Sequence, residues 1–219
     1  MAAEVIIPKD QKSNGNVKAN DGNGAKSDEI TPQNKKPPAE TKAKAGGSEA
    51  IAHVSGSVGG KTSIEMNGSA LAKKAVGAPA KAEATATSDC KAEFELKQDG
   101  RKLTLKVDDH FKVTLQGDDA RASIQIVATV KQSNTPVATL DKTYKFEPNQ
   151  ANPITKIDET GAHTKTIDNP GIDEYKEEAT QVTLNKGDYS VELKLMIETS
   201  ASVLAEAIVD KVELTFPER

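Results

Sequence analysis

From Cys90 to Val130 the chain alternates apolar and polar residues with a period of two, and nothing else in the sequence restricts the fold as strongly. Cys90, Ala92, Phe94 and Leu96 interleave with Asp89, Lys91, Glu93, Glu95 and Lys97. Successive side chains of an extended strand point to opposite faces, so this run has one apolar and one charged face. Leu103, Leu105 and Val107 repeat the pattern after an Asp99-Gly100 turn, and Phe111, Val113 and Leu115 make the next strand. Gln116–Asp119 turns the chain into Ile124, Ile126, Ala128 and Val130, and Val137–Phe146 follows a turn at Ser133–Pro136. This spacing predicts an all-β domain over residues 87–219, an antiparallel Greek-key or jelly-roll-like β-sandwich of about eight strands.

The last stretch supports the same architecture. Val182 and Leu184 lead through Lys186-Gly187 into Tyr189, Val191, Leu193, Leu195 and Ile197. Leu184-Asn-Lys-Gly187-Asp-Tyr189 resembles the tyrosine corner of Greek-key sandwiches. The resemblance implies a hydroxyl bond from Tyr189 to a backbone group a few residues upstream, and structural roles for Gly187 and Tyr189. Residues 202–210 read as strand rather than helix, because Val203, Ala205, Ala207 and Val209 alternate before a return to Val212, Leu214 and Phe216.

The N-terminal part reads differently. All four Phe and three Tyr lie after residue 90, and there is no Trp, so the packed core is expected there. Residues 1–50 are rich in Lys, Asn, Gly, Ser and Pro, and read as a long, low-complexity, disordered tail. Val5, Ile6 and Ile7 are an apolar exception, suited to docking as an edge strand or partner-binding peptide. Residues 51–86 read as a β-prone segment and an Ala/Gly/Pro-rich linker. Within it Ile51–Val54 and Thr62–Met66 alternate, Asn67-Gly68 signals a turn, and Ser69–Ala75 is open to helix or strand. Ile64 and Met66 join Val5–Ile7 as candidate partner contacts.

Charge excludes some functions. Residues 1–88 carry twelve Lys and nine acids, and residues 89–219 carry seventeen basic and twenty-four acidic groups. Balances of +3 and −7, with only three Arg, do not make a nucleic-acid surface. The single cysteine, Cys90, rules out an intrachain disulfide. The N-terminus lacks a basic segment followed by a long apolar one, so no signal peptide is expected. No apolar run is long enough to span a membrane. The expected location is cytoplasmic, or within an exported particle.

No motif carries chemistry. Gly56–Thr62 resembles a phosphate-binding loop, but Ser55 stands at its first-glycine position and the glycine spacing from Gly56 is one short. His53 to Gly68 resembles the glycine-rich hairpins of PAAR-type spike-tip proteins of contractile secretion systems, without that family's metal ligands. His53, Cys90, His110 and His163 show no short ligand spacing, so no metal or other cofactor is expected beyond a possible surface Ca²⁺. Asp108-Asp109 and Asp118-Asp119 are expected at opposite ends of one strand, about 30 Å apart, so they cannot share an ion. The irregular stretch 147–180 is the expected binding loop, with Asp158, Glu159, Asp168, Asp173 and Tyr175 as its candidate ligand residues. The reading these features favour is a non-enzymatic structural or assembly module whose tail orders on a protein partner or on another copy. The alternative is a carbohydrate-binding sandwich using that loop, with Ca²⁺ as an assisting ion. The Asp210–Leu214 segment resembles the closing strand of jelly-roll carbohydrate-binding modules.

Overall fold

The computed structural model describes residues 6–30, 39–57, 63–147, 154–161 and 180–215. Among the described residues there are thirteen strands and no helix long and apolar enough to cross a membrane. In chain order, β1 spans Ile6–Asn20, β2 Ala25–Ile30, β3 Ala39–Ala45, β4 Ser48–Ser57, β5 Ser63–Lys73, β6 Ala82–Leu96 and β7 Arg101–Gln116. They are followed by β8 Arg121–Gln132, β9 Thr135–Phe146, β10 Ile154–Gly161, β11 Thr180–Leu184, β12 Gly187–Ala201 and β13 Leu204–Thr215.

Two antiparallel sheets result. One has the order β2-β1-β6-β12-β8-β9, the other β10-β7-β13-β5-β4-β3. β11 also pairs with β7, so β10 and β11 share one edge of that strand, beside residues 109–116 and 101–105. The inward set is the one the alternation marks: Cys90, Ala92, Phe94 and Leu96 on β6, Ile124, Ile126, Ala128 and Val130 on β8, and Val191, Leu193, Leu195 and Ile197 on β12 are buried. Burying each large aliphatic or aromatic side chain contributes about 1.5–3 kcal/mol.

Inward side chains differ in size along the sandwich. Ala50, Ala52, Ala70, Ala72, Ala84 and Ala86 fill one region, whereas Phe94, Phe111, Tyr144, Phe146 and Tyr189 fill another. Cα atoms of opposite sheets come within 8 Å most often where β3, β4 and β5 lie over β2, β1, β6 and β12. Small residues thus let the sheets approach, and the aromatic rings hold them apart. Phe111 packs against Tyr144 and Phe146 with centroids 4.7 and 5.7 Å away, and Phe94 stacks on Tyr189 at 5.8 Å.

Several sequence expectations are corrected. The stretch expected as a disordered tail contributes β1, β2, β3 and the start of β4. β1 pairs with β6 from Ile6↔Leu96 to Asn20↔Glu83, and Ser13, Val17 and Ala19 are buried. Pairing along an existing strand satisfies the backbone without large side chains, so the poor strand propensity of Asn, Ser and Gly is overridden. With these strands and β5 the count among the described residues rises from the eight of β6–β13 to thirteen. Asn67-Gly68 is not a turn but the middle of β5. There Gly68 lies against β4, where a Cβ would meet the Ile51 carbonyl oxygen at 2.7 Å. Leu103–Val107 and Phe111–Leu115 are one strand, and Asp109 sits inside it, 3 % exposed. β13 is likewise a single strand. Its register shifts between Val209 and Lys211 against β7, so burial passes from Ala205, Ala207 and Val209 to Val212 and Leu214.

Other expectations hold. Residues 204–210 are strand. The Tyr189 hydroxyl donates to the Asn185 carbonyl at 2.9 Å, closing the corner expected at Gly187–Tyr189. Ser133 and Asn134 have φ of 49° and 69°, as a tight hairpin between β8 and β9 requires. The Gly117–Ala120 turn is tied to the β12–β13 turn by Asp119, which accepts from the Ser202 amide at 3.0 Å and from its hydroxyl. Those bonds, with Lys81 at 3.0 Å, hold the Asp119 carboxyl far below the usual carboxylate range.

Gly68→Ala forces the β4 backbone to shift and is expected to cost about 1–3 kcal/mol in urea unfolding. Gly24→Ala, where a Cβ meets nothing within 4 Å, leaves the midpoint unchanged. Equal midpoints for both variants would contradict the close approach of β4 to β5.

Candidate functional site

The outer face of the six-stranded sheet is a broad surface positioned by regular structure. Its residues are those the alternation turns outward. Asn14, Asp89, Lys194 and Val127 form one cross-strand row, and Asn16, Thr87, Met196 and Gln125 the next. A cleft of about 400 Å³ runs over these rows. A second, of about 410 Å³, is lined by Glu83, Thr85, Arg121, Lys145 and Glu198 on the same face.

Charge on this face is organised in pairs. Lys131 reaches Glu192 at 2.5 Å and Lys194 reaches it at 3.2 Å. Burial pushes the Glu192 carboxyl up, but the hydrogen bonds from the two lysines outweigh it and hold the group below its ordinary value. Asp89 is the opposite case. Burial raises its carboxyl above the ordinary value, and repulsion from Glu192 adds to the rise. The Asn14 amide, donating at 2.8 Å, and the charge of Lys194 only partly counter it.

A second cluster lies in the interior. β9 points Leu140, Lys142, Tyr144 and Phe146 inward. The Lys142 ammonium is fully buried, donates to the Val107 carbonyl at 3.1 Å and stands 3.5 Å from Asp109 Oδ1. The other carboxylate oxygen, Oδ2, accepts a hydrogen bond from the Tyr144 hydroxyl. Oδ1 has ion-pair proximity to Lys142 but not hydrogen-bond geometry, and is the one buried side-chain polar atom among the described residues without a hydrogen bond. Val107 lies on the stretch of β7 between the spans paired by β10 and β11.

The residues singled out by sequence do not converge. Ile64 and Met66, expected as partner contacts, are fully buried in the chain's own core. They alternate inward on β5, which explains both their pattern and its misreading. Ile6 and Ile7 lie on β1, paired with Leu96 and Glu95 of β6, and Val5 lies outside the described residues. Asp158 and Glu159 are on β10 opposite Lys112 and Phe111. Asp168, Asp173 and Tyr175 lie outside the described residues, as do His163 and most of the Gly56–Thr62 segment. Gly187 and Tyr189 form the corner. His53 is 3.3 Å from the Asn67 amide, His110 is 2.9 Å from Asp210 on the bulged part of β13, and Cys90 is buried beside Ser13. No group of three His, Cys, Asp or Glu among the described residues is placed to hold a metal. The interior cluster had a signal in the sequence: Lys142 and Asp109 occupy positions whose parity belongs to the core.

No protein family, curated protein or solved structure matches this chain.

Because the folded Asp89 carboxyl titrates above its unfolded value of about 3.9, its penalty is absent at lower pH. The penalty is fully in place once pH has risen past the folded value. Asp89→Asn is therefore expected to raise Tm by a few degrees at neutral pH, with the gain vanishing below about pH 4. A lower Tm at neutral pH would contradict this assignment.

Proposed function

We propose that the chain is a non-enzymatic structural module that assembles with further copies of itself, as a component of a particle or multiprotein assembly, through the outer face of its six-stranded sheet. The observation that carries this reading is the charge-free cross-strand row of Asn16, Thr87, Met196 and Gln125 near the centre of that face. Paired charges such as Lys131–Glu192 and Lys91–Glu93 lie around it. A centre depleted in charge and containing Met, with a charged rim, is the composition of an interface. Mixed signs on the rim suit a two-fold contact, in which each patch meets itself reversed.

The sheet edges favour a face contact over strand addition. β2 is short, and Ala25 to Glu29 are all exposed, with Lys26, Asp28 and Glu29 among them. β3 turns Glu40, Lys42 and Lys44 outward. β9 carries Pro136. Short edges, edge lysines and proline all discourage pairing with another chain. The N-terminal segment enters this reading as part of the sheet that builds the face. The Greek-key description rests on the Tyr189 corner. The carbohydrate alternative rests on Tyr175 and the 147–180 loop, since Phe94, Phe111, Tyr144, Phe146 and Tyr189 are all buried and offer no platform for a sugar ring.

Light scattering coupled to size exclusion, on the full chain over a wide concentration range, tests the proposal. Association that rises with concentration and is lost in the Thr87→Glu/Met196→Glu double variant is the expected result. A monomer throughout, or association indifferent to the double variant, would overturn it.

A further inference from the structure

We propose that Lys142 and Asp109 form an intramolecular amide cross-link, joining β9 of one sheet to β7 of the other. The lysine nitrogen stands 3.5 Å from Asp109 Oδ1, and both side chains are fully buried. The rings of Phe111, Tyr144 and Phe146 pack together beside them. Sealing an ammonium and a carboxylate among aromatic rings is unfavourable for the charged pair, and one proton transfer gives the neutral amine and acid. Two groups held in fixed contact also react at an effective concentration of about 10⁵ M or more, without competing water.

The step balances without a co-reactant. Lys142 Nζ passes one proton to Asp109 Oδ1, and its lone pair then attacks Asp109 Cγ. The negative charge that develops on Oδ2 is held by the Tyr144 hydroxyl, which already donates to that oxygen. A second proton moves from nitrogen to Oδ1, the C–Oδ1 bond breaks, and one water leaves. Nitrogen retains one hydrogen, Oδ2 becomes the amide carbonyl, and nothing is oxidised or reduced. Oδ1, the oxygen that leaves, is the buried atom that has no hydrogen bond. The product replaces two buried charges by a neutral amide. It also closes a covalent loop between the sheets, which restricts the unfolded chain as a disulfide would, although Cys90 has no second cysteine to pair with.

The competing account is a simple ion pair. Intact mass measurement and peptide mapping of the purified full chain separate the two. The expected result is a chain one water lighter than its sequence, and a branched peptide joining the segments that contain Asp109 and Lys142. Lys142→Arg and Asp109→Ala are expected to restore the full sequence mass, while Asp141→Ala on the exposed side of β9 retains the loss. Because the mapping is done on the natural sequence, the test does not depend on the variants folding. A chain of full sequence mass would overturn the proposal. So would a water loss mapped elsewhere, such as a cyclised Asp99-Gly100.

Discussion

The long inner strands of this protein sort their side chains between an interior and an exterior with a period of two. β6 holds that sorting over its 15 residues, and β12 holds it from Val191 to Ala201. A slip of one residue would exchange the faces of an entire strand, so register is specified many times over. Where sorting must change phase, the backbone bulges, as it does in β13 between Val209 and Lys211. The size of the inward residues sets the rest. Alanine-rich stretches bring β4 and β5 close to β6 and β12, and Gly68 brings β5 close to β4 within its own sheet.

The same sorting places two charged residues where a hydrophobic pair would ordinarily stand. Asp109 follows Leu105 and Val107 inward on β7, and Lys142 follows Leu140 inward on β9. Neither charge is tolerable alone in this setting, since removing one partner of a buried pair typically costs about 3–5 kcal/mol. Together with Tyr144 and the Val107 carbonyl they form a polar point inside an aromatic cluster. It lies where the edge strand of one sheet crosses a strand of the other.

Much of the body of the sandwich was legible from alternation alone. The strands from Cys90 to Phe146, the hairpin at Ser133-Asn134 and the Tyr189 corner follow from period, turn chemistry and one motif. The N-terminal strands were not legible, because Ser13, Gly15, Val17 and Ala19 carry too little apolar bulk to declare an inward face. Their pairing is imposed by the long edge of β6. Asn67-Gly68 misled for a related reason: the glycine answers a close backbone approach that only the tertiary structure reveals. Asp109 was expected at a strand end because its chemistry, not its parity, was weighed. The outer face was still less legible, since Asn14, Thr87, Gln125 and Met196 are distant in sequence and share only a place on the sheet.

The account depends on one sandwich that includes the N-terminal segment as an inner strand, and amide hydrogen exchange at Lys12–Asn20 tests that most directly. If β1 lies between β2 and β6, those amides that face either neighbour exchange as slowly as the amides of β6. Exchange of the whole segment at the rate of an unstructured peptide would contradict the account.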